Sequence, residues 1–203
     1  MEDNLFDTTP TSAVSYTDLG FQPCTVERST EELDSVEEGI CFRDSSTIEV
    51  KRSTQEECVV SVFDVAAYVM GRIKECTTMK LHKLLYYCQA WTLVWDERPL
   101  FKEKIEAWAN GPVIRELFNF HKGMFIIKDS DITIGRESVL SEHQKDNIKE
   151  VLDFYGDKTS QWLIDQTHLE TPWIEARRGL AQTERGNQVI EHDAMYQFYS
   201  SLE

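Results

Sequence analysis

From Met79 to Trp95 the chain reads MKLHKLLYYCQAWTLVW, and this stretch constrains the fold more than any other. Leu81, Leu84, Leu85, Cys88, Trp91 and Trp95 recur at the spacing of one helical face, so the stretch predicts a helix with a broad apolar stripe. Thr77 or Thr78 supplies a cap at its start. Lys80, Lys83, Tyr87 and Gln89 fall towards the other side. A second helix is predicted immediately upstream. Ser61 and Asp64 make a capping box, and Val62, Ala66, Val69, Met70 and Ile73 share a face. Two adjacent amphipathic helices commit this part of the chain to a helical core.

The rest of the body continues the pattern. After Pro99, LFKEKIEAW predicts a short extended element near 100–109. Asn110, Gly111 and Pro112 then form the strongest turn signal in the sequence. Gly111 permits a positive φ, and Pro112 suits the first residue of a helix carrying Val113, Leu117 and Phe120 or His121. Lys122 and Gly123 suit that helix's end. MFIIKDSDITIG reads as loop or short strand. Ser141 with Gln144 opens a helix bearing Ile148, Val151, Leu152 and Tyr155, which Gly156 stops. Further helices are predicted near 158–168, after Thr171 as cap and Pro172 as first helical residue, and over about 192–202 with Met195, Phe198 and Tyr199 inside.

Charge divides the chain. The formal net charge is −15. Residues 1–60 hold 14 Asp+Glu and 4 Lys+Arg, leaving 22 and 17 for the remainder. The reading is an acidic N-terminal segment, 1–60, before a helical domain, 61–203. The acidic segment is read as partly disordered or as a small β-hairpin on weak strand signals, with Phe6, Tyr16 and Phe21 as anchors onto a partner or the body. The charge opposes nucleic acid, whose binding needs a basic face, and opposes an anionic membrane surface. Lys80, Lys83 and Arg115 are the one candidate basic patch. A basic protein partner would be steered in. No run approaches the roughly 18 apolar residues of a membrane span.

Signals for chemistry are few. Cysteines 24, 41, 58, 76 and 88 form no CxxC pair, so reduced thiols in the cytoplasm are expected, with Cys76 and Cys88 on helices. His82, His121, His143, His168 and His192 show no metal-ligand spacing, and are read as helix-surface or helix-terminus residues; Asp165 and His168 are close enough to share a hydrogen bond. No phosphate loop, dinucleotide motif or nucleophile elbow occurs, so neither cofactor nor metal is expected and catalysis is not. Trp91, Trp95, Tyr86 and Tyr87 read as core and half-buried anchors rather than as a ligand cage. Trp108 reads first as core, and otherwise as part of a surface with Asn110 and Lys83.

Several strings together resemble the Panacea domain of SocA-like antitoxins: FDVAAYVMGRI, TTMKLHKLLYYCQAW, PLF, EAWANGPVIRELFNFHKG, QWLIDQTHLETPWIEAR and, more weakly, AMYQFYSS. Their order and spacing agree across about 62–200. The resemblance implies a mainly α, compact helical domain without enzymatic activity that neutralises a cognate protein toxin by direct contact. It also implies a second role, that of a proteolytic adaptor delivering a client toxin to a cytosolic AAA+ protease, and a prophage setting. A phage-encoded host-defence modulator or an enzyme using the Trp108 region is the reading from another class. The motif positions are Lys80, Lys83, Tyr86, Tyr87, Trp91, Trp108, Asn110, Gly111, Pro112 and Trp173. The resemblance does not say which of them touch the toxin and which hold the fold. Some members carry a DNA-binding helix pair upstream; the acidic residues 1–60 show none.

Overall fold

A computed structural model describes residues 60–202. The expected N-terminal hairpin, and the anchor roles of Phe6, Tyr16 and Phe21, lie outside the described residues.

Seven helices and two small antiparallel sheets make up the described residues. Helix α1 (Val62–Ile73) leads to strand β1 (Glu75–Thr77) and the long helix α2 (Thr78–Asp96). Strands β2 (Ile105–Trp108) and β3 (Gly111–Ile114) form a hairpin and run into α3 (Arg115–Phe120). Strand β4 (Ile126–Lys128) returns to pair with β1. The chain ends in α4 (Glu142–Tyr155), α5 (Ser160–Leu169), α6 (Thr171–Ala176) and α7 (His192–Ser200). The mainly α fold expected from the sequence is what the chain adopts.

Helix α2 is the axis of the domain. Every residue from Leu81 to Leu93 is buried, and α1, α4, α5, α7 and the β2–β3 hairpin all pack on it. The apolar stripe therefore understates its burial. Lys83, Tyr87 and Gln89, which the periodicity turns away from the stripe, are fully enclosed by other elements. A helix covered on all sides cannot keep a polar face, and each polar group on it needs an internal partner. Gln89 shows how this is met. Its Oε1 accepts the backbone N–H groups of Leu100 and Phe101, and its Nε2 donates to the Phe101 carbonyl. One side chain thus fixes the PLF segment against the helix axis.

The capping boxes at Ser61–Asp64 and Ser141–Gln144 are both formed. Four local expectations are corrected. Cys76 lies on β1 rather than on a helix. Thr171 is already helical, and Glu170 takes the N-cap position. Phe198 is only half-buried, while Met195 and Tyr199 are enclosed. Pro112 does not open a helix.

The Pro112 correction concerns the whole NGP corner. Trp108 pairs with Gly111 and Ala107 with Pro112, so Asn110 sits in a hairpin turn and Pro112 and Val113 are strand residues. Gly111 has φ 94°, whereas neither Ala109 nor Asn110 has a positive φ. The two-residue turn is thus closed by a glycine in the left-handed region, where a side chain would be strained. Pro112 is tolerated because it cannot donate to a ladder, and a two-stranded hairpin leaves one edge unpaired. Helix α3 begins only at Arg115.

Candidate protein-binding site

The motif residues fall into two sets on either side of the hairpin. The inner set surrounds α2. Lys83 is fully buried and donates from Nζ to the Pro112 carbonyl at 2.9 Å. Its position requires Gly111: a Cβ there would stand 2.7 Å from Lys83 Cε and 2.8 Å from Thr167 Oγ1. Burial lowers the Lys83 pKa to about 7, because an ammonium without water or a countercharge is disfavoured. Lys83 thus ties the hairpin to the helix axis.

One turn further along α2, a buried carboxyl group collects tyrosines. Glu170, which precedes α6, accepts the Tyr87 hydroxyl at 2.9 Å on Oε1 and the Tyr199 hydroxyl at 2.7 Å on Oε2. Burial, and then the charge of Glu170, push the Tyr86 hydroxyl well above its ordinary pKa. Tyr87 stacks on Tyr155 with ring centroids 3.9 Å apart, and Trp91 donates to the Tyr155 hydroxyl. Helices α2, α4, α6 and α7 are joined through these few side chains. Sequence reasoning did not single out Glu170. Its hydroxyl partners stand 83 and 29 residues away, beyond any local pattern.

The C-terminal part of the chain is anchored similarly. Arg177 is buried and donates to the carbonyls of Ala107, Ala181, Gln182 and Glu184. Trp173 donates from its indole to the Trp108 carbonyl at 2.9 Å. Trp173 thus reaches the back of the hairpin, while His168 stacks on its ring. Asp165, expected beside His168, accepts instead from Gln161.

The outer set faces a groove. It has a volume of about 550 Å3 and runs between the hairpin, α3 and the start of α5. Trp108, Phe118, Val113 and Ile164 contribute its apolar wall, and Asn110 stands at its edge. Trp108 is half-buried and meets Phe118 edge-on at 4.8 Å. Its indole donates to Glu106, which also accepts from the Arg115 guanidinium. The ring is thus held in place while one face remains on the groove. Beyond it, Met124, Phe125 and Ile126 are exposed by 46%, 76% and 48%.

Two histidines line the groove's inner end. His82 and His121 are buried rather than on the surface, and their Nε2 atoms lie 2.8 Å apart. The Ile114 N–H donates to His82 Nδ1, so neutral His82 carries its proton on Nε2 and gives it to His121 Nε2. Burial lowers the pKa of both rings, and for His82 the nearby Lys83 adds to the effect. The pair is missed by a search at helical spacing because 39 residues separate its members.

The candidate basic patch does not form. Lys83 is inside, Lys80 donates to the Gly156 carbonyl, and Arg115 pairs with Glu106. Nor does Lys83 share a surface with Trp108 and Asn110, since the hairpin covers it. Among the described residues no cluster of His, Cys, Asp and Glu has the makings of a metal site, and no helix is long and apolar enough to cross a membrane. Cys76 and Cys88 are buried free thiols, and burial raises the pKa of each, that of Cys76 to about 11.

A central helix built around Lys83 and its tyrosines, with a glycine-closed hairpin locked over it, is the architecture on which the sequence motifs converge. Residues 81–174 match the family model described as antitoxin SocA-like, Panacea domain. Over those residues, just under half of the chain, it is similar to the Panacea domain of SocA-like antitoxins. The match takes in both sets of motif residues, apart from Lys80, and the groove lining apart from Thr77, Thr78 and Met79. The FDVAAYVMGRI and AMYQFYSS strings lie outside it, in α1 and α7, which pack on α2. No curated protein and no solved structure matches the chain.

Proposed function

We propose that this protein is an antitoxin that neutralises a cognate protein toxin by direct binding in the cytoplasm. The contact surface is the Trp108 groove with its Met124–Ile126 lip. The supporting observation is the lip itself. Three consecutive large apolar residues stand exposed beside an apolar groove, an arrangement typical of a protein-docking surface rather than of a solvated one. The antitoxin family model supplies the class of partner. The net charge of −15 favours approach of a basic toxin. The motif residues then divide: Trp108 and Asn110 reach the surface, while Lys83, Tyr86, Tyr87, Trp91, Gly111, Pro112 and Trp173 hold the scaffold and Lys80 closes the end of α4.

The test is co-expression with the protein encoded next door. Rescue from its toxicity by this chain, lost in a folded Phe125→Asp variant, is expected. A neighbour that is harmless alone, or whose toxicity is unchanged by the chain, overturns the proposal. The same experiment in a strain lacking its AAA+ proteases separates occlusion from delivery. Rescue by occlusion persists there, whereas an adaptor loses it and the toxin's lifetime lengthens.

A further inference from the structure

One line of hydrogen bonds joins three parts of the groove. His82 stands on α2, and the Ile114 N–H of β3 donates to its Nδ1 at 3.2 Å. His82 Nε2 faces His121 Nε2 at 2.8 Å. His121 closes the end of α3, and its carbonyl accepts the Met124 N–H at 2.9 Å, at the root of the exposed lip. The lip backbone is therefore tied, through a single ring-to-ring bond, to the central helix and the hairpin.

That bond holds one proton and has no place for two. With Ile114 donating to Nδ1, His82 keeps its proton on Nε2, and His121 Nε2 must offer a lone pair. A second proton, taken from solvent by His121, sets two N–H donors against each other. His82 cannot give way by changing tautomer, because Nδ1–H would then oppose the Ile114 N–H. No carboxylate is at hand to take up the added charge: no Asp, Glu, Lys or Arg lines the groove. On α2, Lys83 is a cation that opposes protonation of His82. Glu106 of β2 pairs with Arg115 of α3, Asp165 of α5 accepts from Gln161, Asp64 of α1 is engaged in its cap, and Glu116 and Lys122 of the α3 region are exposed. A charged His121 is better placed outside, in water and at the carbonyl end of α3. Burial holds both rings below the ordinary value of 6.5, so the bonded pair is neutral at neutral pH and protons favour the parted one.

We propose that His82 and His121 form a proton-operated latch on the groove: protonation of His121 parts the rings, turns His121 towards solvent and frees the Met124–Ile126 lip while the domain stays folded. The latch stands on its own geometry. Its regulatory meaning, that acidification loosens the toxin-binding surface, rests on reading the groove as that surface.

The experiment follows the full chain, without toxin, from about pH 7.5 to about pH 5. Nitrogen-15 spectra of the imidazoles read tautomer and protonation. Hydrogen exchange, corrected for its intrinsic pH dependence, reads opening. At neutral pH, His82 should carry its proton on Nε2 and His121 on Nδ1. On acidification His121 should take up a proton, and protection of 118–128 should fall at least about 10-fold with the same midpoint, while that of 81–93 persists. His121→Gln keeps an acceptor for the His82 Nε2–H but cannot be protonated, so its protection should stay level. A His82 proton on Nδ1 at neutral pH overturns the proposal, as does a His121 that takes up no proton in this range. Protection of 118–128 that ignores the His121 titration, that is lost only together with 81–93, or that falls equally in His121→Gln overturns it too. The wild-type readings decide even where the variant is unstable. Toxicity is not read, so a failed latch leaves the antitoxin reading intact, and a harmless neighbour leaves the latch intact. If both hold, toxin affinity falls about 10-fold across this range in the wild type and stays level in His121→Gln.

Discussion

The β2–β3 hairpin has a wet side and a dry side, and the two treat their polar groups in opposite ways. On the dry side, Lys83, Glu170 and the tyrosines are sealed in and each hydrogen bond spans two elements. On the wet side, Trp108 is braced by Glu106 and Arg115 within the hairpin and its immediate extension, and its neighbours Phe125 and Met124 face solvent. Both sides carry residues from the same sequence motifs. A motif is thus no guide to contact with a partner. Burial and the origin of each hydrogen-bond partner separate scaffold from surface.

The sharpest way to break this comparison is Glu170→Ala. It leaves the Tyr87 and Tyr199 hydroxyls buried without their acceptor, and a loss of about 3–5 kcal/mol is expected from chemical denaturation. A loss below about 1 kcal/mol would mean the inner set is not a scaffold. Gly111→Ala comes next. It forces a side chain into positive φ and against Lys83, and about 2–4 kcal/mol is expected in the same measurement.

Lys83→Met tests the lysine through pH. The folded pKa, about 7, lies below the unfolded value of 10.5. Between these values the unfolded chain binds more protons, so stability rises with pH across this window, by up to about 1.4 kcal/mol per pH unit. Below pH 7 both states are protonated and the full penalty applies. The difference in stability between wild type and Lys83→Met should show this slope, while the variant alone lacks it. The His82–His121 pair acts in the acidic range by the same logic. Both folded values lie below 6.5, so the unfolded chain takes up the protons first and stability is lost as pH falls from 6.5. His121→Gln should reduce that loss, seen as a flatter melting temperature between pH 6.5 and 5.

The smallest stability effect belongs to the wet side. Phe125→Asp should change stability by no more than about 0.5 kcal/mol, since the side chain is exposed, yet it should abolish toxin rescue. Stability and function then move in opposite order across the two sides of the hairpin.

Much of this architecture is legible without coordinates. Caps at Ser61 and Ser141, the apolar period of α1 and α2 and the turn at Asn110-Gly111 are local signals, and local physics suffices to read them. What escapes is set at a distance. Periodicity finds which face of α2 is apolar but not that its remaining face is enclosed as well, so Lys83 and Gln89 read as outward. The Pro112 reading fails because a proline suits both a helix start and an unpaired strand edge; the pairing with Ala107 decides. Glu170, Arg177 and the His82–His121 pair acquire their roles only when remote segments meet. In the groove, Trp108 and Asn110 were singled out from sequence as residues that could face a surface, whereas the exposed lip at Met124–Ile126 reads only as loop or strand.

Lys83 has one last consequence, for its reactivity. An amine with a pKa near 7 is about half unprotonated in neutral solution, and the unprotonated form is the nucleophile. Its exposed counterparts are charged and slow but reachable; Lys83 is primed but shut in beneath Gly111. Acylation by a small reagent therefore waits on the hairpin lifting from the central helix. The chain carries its own chemical timer for that motion, readable as one mass increment on one lysine.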